Sequence, residues 1–127
     1  MRLRSLAAIG ASLTLALGGM LATAGPATAS SYVMYVYQGG DYGTFDEVTH
    51  SFSVCDKEND GHQVYVYFEK LDNSKSSRVY DPDSYGGGCG GGTLGAASSS
   101  NPWDLMWVCE DIPVWSDNCN ADGVIWR

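Results

Sequence analysis

The chain has 127 residues, 15 of them acidic and 7 basic, with a formal net charge of −8. A surface of that sign repels phosphate backbones, which argues against nucleic acid and anionic membrane as partners. Four cysteines and a high tyrosine and glycine content direct attention to a small cross-linked β-domain instead.

Residues 1–29 read as a signal peptide. Arg2 and Arg4 precede the uncharged apolar run Leu6 to Ala24, and Ala27-Thr28-Ala29 supplies the small-x-small site that signal peptidase requires. The mature chain is then Ser30 to Arg127, one domain of 98 residues. It has lost two basic and no acidic residues and carries −10. Cleavage leaves no segment apolar enough to span a membrane, and the expected location is extracellular.

All four cysteines, Cys55, Cys89, Cys109 and Cys119, lie in the exported part, where two disulfides are the expectation. Of three possible pairings, Cys55–Cys89 with Cys109–Cys119 is preferred. Each then ties a strand end to the loop after it. Loops of those lengths stabilise by about 4 and 3 kcal/mol in the chain-entropy treatment. A zinc site is disfavoured, since no two cysteines have the short spacing such sites use.

The mature chain opens with Tyr32 to Tyr37 (YVMYVY), apolar on both faces and rich in strand formers. With the glycine-rich joint after it, residues 30–43 form a separable N-terminal strand. It either pairs within its own domain or adds to a partner's sheet edge. Next comes Val48 to Phe68, which reads as a β-hairpin. Val48, His50, Phe52 and Val54 alternate with polar residues, Asp60-Gly61 makes the turn, and Val64, Val66 and Phe68 alternate with Tyr65 and Tyr67. Arg78-Val79-Tyr80 is a short further strand. Tyr85 to Gly92 (YGGGCGGG) and the residues through Ser100 read as weakly structured loop. Trp103 to Val108 is a strand with Trp107 in the core. Pro113 makes Glu110 to Trp115 an edge or an extended loop, and Gly123 to Arg127 is a last strand. The fold class is all-β, a small antiparallel sandwich or barrel stapled by two disulfides.

The stretch VCDKENDGHQVYVYF, then GGGCG, then VCEDIP, DNC and a final tryptophan resembles a group of small secreted actinobacterial proteins. These share a signal peptide, four cysteines and an all-β domain. The overall plan, with Tyr32 to Tyr37 leading, is more loosely similar to the small connector subunit of the umbrella-shaped toxin particles of Streptomyces. That similarity implies a sandwich whose N-terminal strand engages partner subunits.

Catalytic patterns are absent from the sequence. No G-x-S-x-G elbow occurs, the cysteines are expected to be oxidised, and the glycine loop lacks the Lys-Ser/Thr of a phosphate cradle. Asp56, Glu58, Asp60 and Gly61 imitate the start of a helical calcium loop, but its twelfth position is Tyr67, so that motif fails. A shallow cation site on Asp56 and Asp60, or on Asp81 and Asp83, is the remaining alternative. No catalytic residue, cofactor or metal is expected. The candidate binding residues are the aromatic and apolar ones: Tyr32, Met34, Tyr35 and Tyr37 on the first strand, Tyr65 and Tyr67 on the hairpin, and Trp115. The expectation is a non-enzymatic module that docks onto another extracellular protein through its first strand or an aromatic sheet face. The alternatives are a glycan-binding module using Tyr65 and Tyr67, or a hydrolase inhibitor presenting residues 111–117.

Overall fold

The structure is a computed structural model, and it describes residues 31–124. The expected signal peptide and the final tryptophan lie outside those residues. Eight strands are present: β1 (Val33–Gln38), β2 (Asp41–Asp46), β3 (Ser51–Cys55), β4 (Gln63–Lys70), β5 (Val79–Tyr80), β6 (Gly90–Thr93), β7 (Trp103–Asp111) and β8 (Asn118–Gly123). They form two four-stranded antiparallel sheets, ordered β1-β2-β3-β6 and β5-β4-β7-β8, a β-sandwich as the strand pattern predicts. No helix among the described residues is long and apolar enough to cross a membrane. Both preferred disulfides are formed, Cys55–Cys89 and Cys109–Cys119.

The core lies between the sheets. Met34, Val36, Phe45 and Val54 come from the first sheet and Val64, Val66, Phe68, Met106 and Val108 from the second, with Leu94 and Val124 closing the ends. β1, β4 and β7 each contribute alternate residues, as period-two burial requires. The sheets also approach closely at Gly43. A Cβ there would lie 2.6 Å from Met106 Cε and 2.7 Å from Val108 Cγ2, so only hydrogen fits.

Val48 to Phe68 is not a hairpin. β3 pairs with β2 and β6, whereas β4 pairs with β5 and β7, so residues 56–62 cross from one sheet to the other. The polar segment is held by other parts of the chain. Asp41 Oδ1 accepts the amides of Lys57 and Glu58 at 2.6 and 3.1 Å, and Asp81 Oδ2 accepts that of Asp56 at 2.8 Å. Alternation and a turn dipeptide are common to hairpins and sheet crossovers, and these long-range acceptors decide between them. Val48 is exposed and His50 takes φ +57° in the β2–β3 turn, so the strand begins only at Ser51.

Two more expectations need correction. The glycine segment is not loose, because Gly90–Thr93 is a strand on β3. Glycine suits it there, since a Cβ on Gly90 would strike the Tyr80 carbonyl. The last described strand is Asn118–Gly123, and residues 125–127 of the expected strand from Gly123 to Arg127 lie outside the described residues. Trp107 is not in the core. It stands on the outer side of its sheet with its ring parallel to that of Tyr67, centroids 5.9 Å apart. Trp103 packs against the core in its place.

Candidate functional site

β1 is tied into its own sheet rather than left separate. The two-residue Gly39-Gly40 turn, with φ +59° at Gly39, joins it to β2 in continuous register from Val33↔Asp46 to Gln38↔Asp41. Its two apolar faces then have different fates. Met34 and Val36 are core, while Val33, Tyr35 and Tyr37 stand outside. Tyr35 and Tyr37 are 50% and 57% exposed, and they stack on each other and pack at a tilt against Tyr42, with centroid distances of about 6 Å. β1 is also an edge strand. The Glu47 amide donates to Tyr32 O, so the even-numbered residues pair with β2, and the N–H and C=O of Val33, Tyr35 and Tyr37 point outward. Asn120 Nδ2 donates to the Tyr37 carbonyl at 2.9 Å, which closes the last of these positions.

The second aromatic group, on the outer side of β4 and β7, is covered. Arg78 lies over the ring of Tyr65 at 4.3 Å and Lys75 over that of Tyr67 at 5.1 Å. The Tyr65 hydroxyl donates to Asp117, whose carboxylate also pairs with Arg78 at 3.4 Å. Burial, and then the bond to Asp117, pushes the Tyr65 hydroxyl well above the usual tyrosine range. A hollow of about 260 Å³ remains between Tyr65, Tyr67, Arg78, Asp117 and Cys119.

Between β7 and β8 a short loop protrudes. Val114 is wholly exposed and Trp115 is 81% exposed. Val114 holds φ +77°, an uncommon state for a β-branched residue. The loop is closed at its base by Cys109–Cys119, by the Trp115 amide donating to Ile112 O, and by the Ile112 amide donating to Asp117 Oδ1. Its strand also meets the turn end of β1, where Gln38 Nε2 donates to Glu110 Oε1 at 3.5 Å.

That same end carries buried acid. Asp41, Asp56, Asp81 and Glu110 are all more than nine-tenths buried, and Glu58 lies among them, donating its amide to Asp41 and accepting that of Gly40 at 2.8 Å. Burial pushes the carboxyls of Asp41, Asp56 and Glu110 above their usual range, and neighbouring carboxylates push the same way.

The candidate residues therefore fall into four places. Tyr32, Tyr35 and Tyr37 are exposed on the β1 side. Met34 is in the core, because the period-two alternation that exposes Tyr35 turns it inward. Tyr65 is 1% exposed and Tyr67 half-buried, so the Tyr65 and Tyr67 rings are not open platforms. Trp115 is open. Sequence reasoning missed Tyr42, whose place beside Tyr37 emerges once Gly39-Gly40 is read as a two-residue hairpin turn. It also missed Val114, for which no local signal exists, and Asp41 and Glu110, which long-range folding brings together. No protein-family model matches this chain, and neither a curated protein nor a solved structure does.

Proposed function

We propose that the mature chain is a secreted, non-enzymatic module that docks onto another extracellular protein. It would do so through the Val114–Trp115 tip together with the neighbouring tyrosine strand β1. The supporting observation is the tip itself. Folding gains nothing from a wholly exposed valine beside an exposed tryptophan, yet the loop is braced by a disulfide and two hydrogen bonds. A rigid, preorganised tryptophan is the commonest kind of interface anchor, because it buries a large area while losing little entropy. Asp111 precedes the loop and Asp117 ends it. The partner is accordingly a protein with an apolar pocket and a basic rim. The outward backbone groups of Val33 and Tyr35 would add strand-like hydrogen bonds alongside. Two disulfides are compatible with an extracellular setting.

The inhibitor alternative uses the same loop with a hydrolase cleft as the pocket. The glycan alternative has less support, since Arg78 and Lys75 already occupy the faces of Tyr65 and Tyr67. The test begins with affinity purification of the mature chain from its own culture medium. The captured protein, once identified and produced separately, is titrated against wild type, Trp115→Ala and Tyr37→Ala. Loss of about 30-fold or more in affinity for Trp115→Ala, with a smaller loss for Tyr37→Ala, is expected for an anchor and its neighbour. Folded variants that bind as wild type does would remove this reading.

A further inference from the structure

A chain with 15 acidic and 7 basic residues gathers two of its cations at one hollow. The described residues include the basic side chains Lys57, Lys70, Lys75 and Arg78, and the last two line the hollow of about 260 Å³ beside Cys119. Both are held in place. The Phe68 amide donates to Ser76 Oγ at 2.9 Å, and the Ser76 amide donates to Phe68 O at 2.8 Å. These two bonds fix the segment carrying both cations alongside β4. Lys75 and Arg78 then rest on the rings of Tyr67 and Tyr65, which narrows the rotamers open to each.

Each cation has an acid beside it, yet the hollow presents positive charge to solvent. Arg78 Nη1 is 3.4 Å from Asp117 Oδ2, and Lys75 Nζ is 3.8 Å from Glu69 Oε2. Both distances exceed that of a charge-assisted hydrogen bond. The acids are turned inward. Their side chains are 21% and 14% exposed, against 51% and 56% for Arg78 and Lys75. Asp117 moreover already accepts the Tyr65 hydroxyl on Oδ2 and the Ile112 amide on Oδ1.

We propose that this hollow binds a carboxylate, with the Arg78 guanidinium donating to its oxygens and the Lys75 ammonium adding a second cationic donor. A guanidinium stacked on a ring keeps its N–H edge available, and that planar fork matches a carboxylate. The lining favours a single negative charge. Its two cations exceed its one acid, Asp117, by one charge. That excess balances a carboxylate but not a doubly charged phosphate, which the acidic remainder of the chain also repels. The volume lies below that of drug-sized pockets and suits a ligand of side-chain size. The end of a glutamate, a peptide C-terminus and a uronic acid all share this chemistry. The site stands whether or not the Trp115 tip is a docking anchor.

The test is a titration of the isotope-labelled mature chain at low ionic strength, followed by amide NMR. Three probes carry a carboxylate: an end-blocked tripeptide with a central glutamate, a peptide with a free C-terminus, and glucuronate. The controls are the same blocked peptide with glutamine in place of glutamate, and inorganic phosphate. A Kd of about 1–10 mM is expected for the carboxylate probes, the range that a few charge-assisted hydrogen bonds support at an open site. The shifts should centre on Tyr65, Tyr67, Ser76, Arg78 and Asp117, and the tightest carboxylate probe identifies the source. Arg78→Gln is expected to weaken binding about tenfold and Lys75→Gln about threefold, and about 0.5 M salt should weaken it as well. Both side chains are half-exposed, and should Arg78→Gln fail to fold, Lys75→Gln decides alone. Absence of shifts up to about 50 mM probe overturns the proposal. So does equal binding of the glutamine peptide, or phosphate binding tighter than every carboxylate probe. Shifts that map away from the hollow, or folded variants that bind like wild type, overturn it too.

Discussion

The two outer faces of the sandwich carry similar aromatic patterns and have opposite characters. On one, Tyr35 and Tyr37 stand on an edge strand and touch mainly each other and Tyr42. On the other, Tyr65 and Tyr67 stand on a central strand, flanked by β5 and β7 and roofed by Arg78 and Lys75. Both strands read as alternating tyrosine and valine in sequence. The difference is made by position in the sheet. A central strand gains cross-strand neighbours such as Trp107 and Tyr80 on both sides, and these neighbours bury a ring that an edge leaves open. Aromatic content alone therefore does not mark a binding face.

Substituting the same side chain on each face breaks or sharpens this contrast most directly. Tyr65→Ala removes a fully buried ring, its bond to Asp117 and its contact with Arg78, and is expected to cost about 3–5 kcal/mol. Tyr35→Ala is expected to stay within about 0.5 kcal/mol, as for an exposed surface residue. Urea unfolding of both variants measures the gap, and equal costs would show that the two faces are alike after all.

The second expected effect belongs to the disulfide beside the covered face. Cys109 stands opposite Tyr65 in the register, and Cys119 lines the hollow next to it. The double variant Cys109→Ala/Cys119→Ala is expected to lose about 3 kcal/mol in thermal or urea unfolding, from release of a short loop in the unfolded chain. It also unties the Val114–Trp115 tip, so partner affinity should fall further than stability alone explains. The exposed tyrosines of β1 should keep their near-ultraviolet signature. A variant that loses that signature while still folded would mean the two faces are mechanically coupled.

Much of this architecture is legible in the sequence because its causes are local. Period-two alternation marks β4 and its inward face, while β1 and β7 are recognisable as strands but apolar on both sides, so that Trp107 was expected inward. Pro113 marks the interruption after β7, and tying each strand end to the loop after it favours the pairing that formed. The crossover was not legible. Asp56 to His62 has the composition of a hairpin turn, and its path is decided by Asp41 and Asp81, 15 residues before and 25 after Asp56. The acidic cluster hides for the same reason, since Asp41, Glu58 and Glu110 lie on two separate strands and a crossover and meet only after the sheets pack. Trp115 was visible as an aromatic between two cysteines, whereas its protrusion depends on the φ of Val114, which sequence gives no reason to expect.

The smallest expected effect separates the faces by acid. On the tyrosine side, Asp46 accepts a bond from the Ser31 hydroxyl and from the amides of Val48 and Thr49. Ser31 contributes most to holding its carboxyl at about 2. On the other sheet, Asp72 is likewise held at about 2, by the Ser74 hydroxyl and amide and then by Asn101. Both folded values lie below the ordinary aspartate value of 3.8. The unfolded chain therefore binds these protons first as pH falls. The stabilisation is complete above about pH 4 and is lost as pH drops toward about 2. Both carboxylates are exposed, so the loss is small and shrinks in high salt. Asp46→Asn should flatten the acid limb of the melting profile and loosen the β2–β3 turn beside the tyrosine face. Asp72→Asn should flatten the same limb while acting on the β4–β5 loop alone. Hydrogen exchange of the Val48 and Thr49 amides, compared with that of Ser74, assigns each loss to its face. Exchange that rises at all three sites in either variant would mean that acid loosens the whole sandwich rather than one turn at a time.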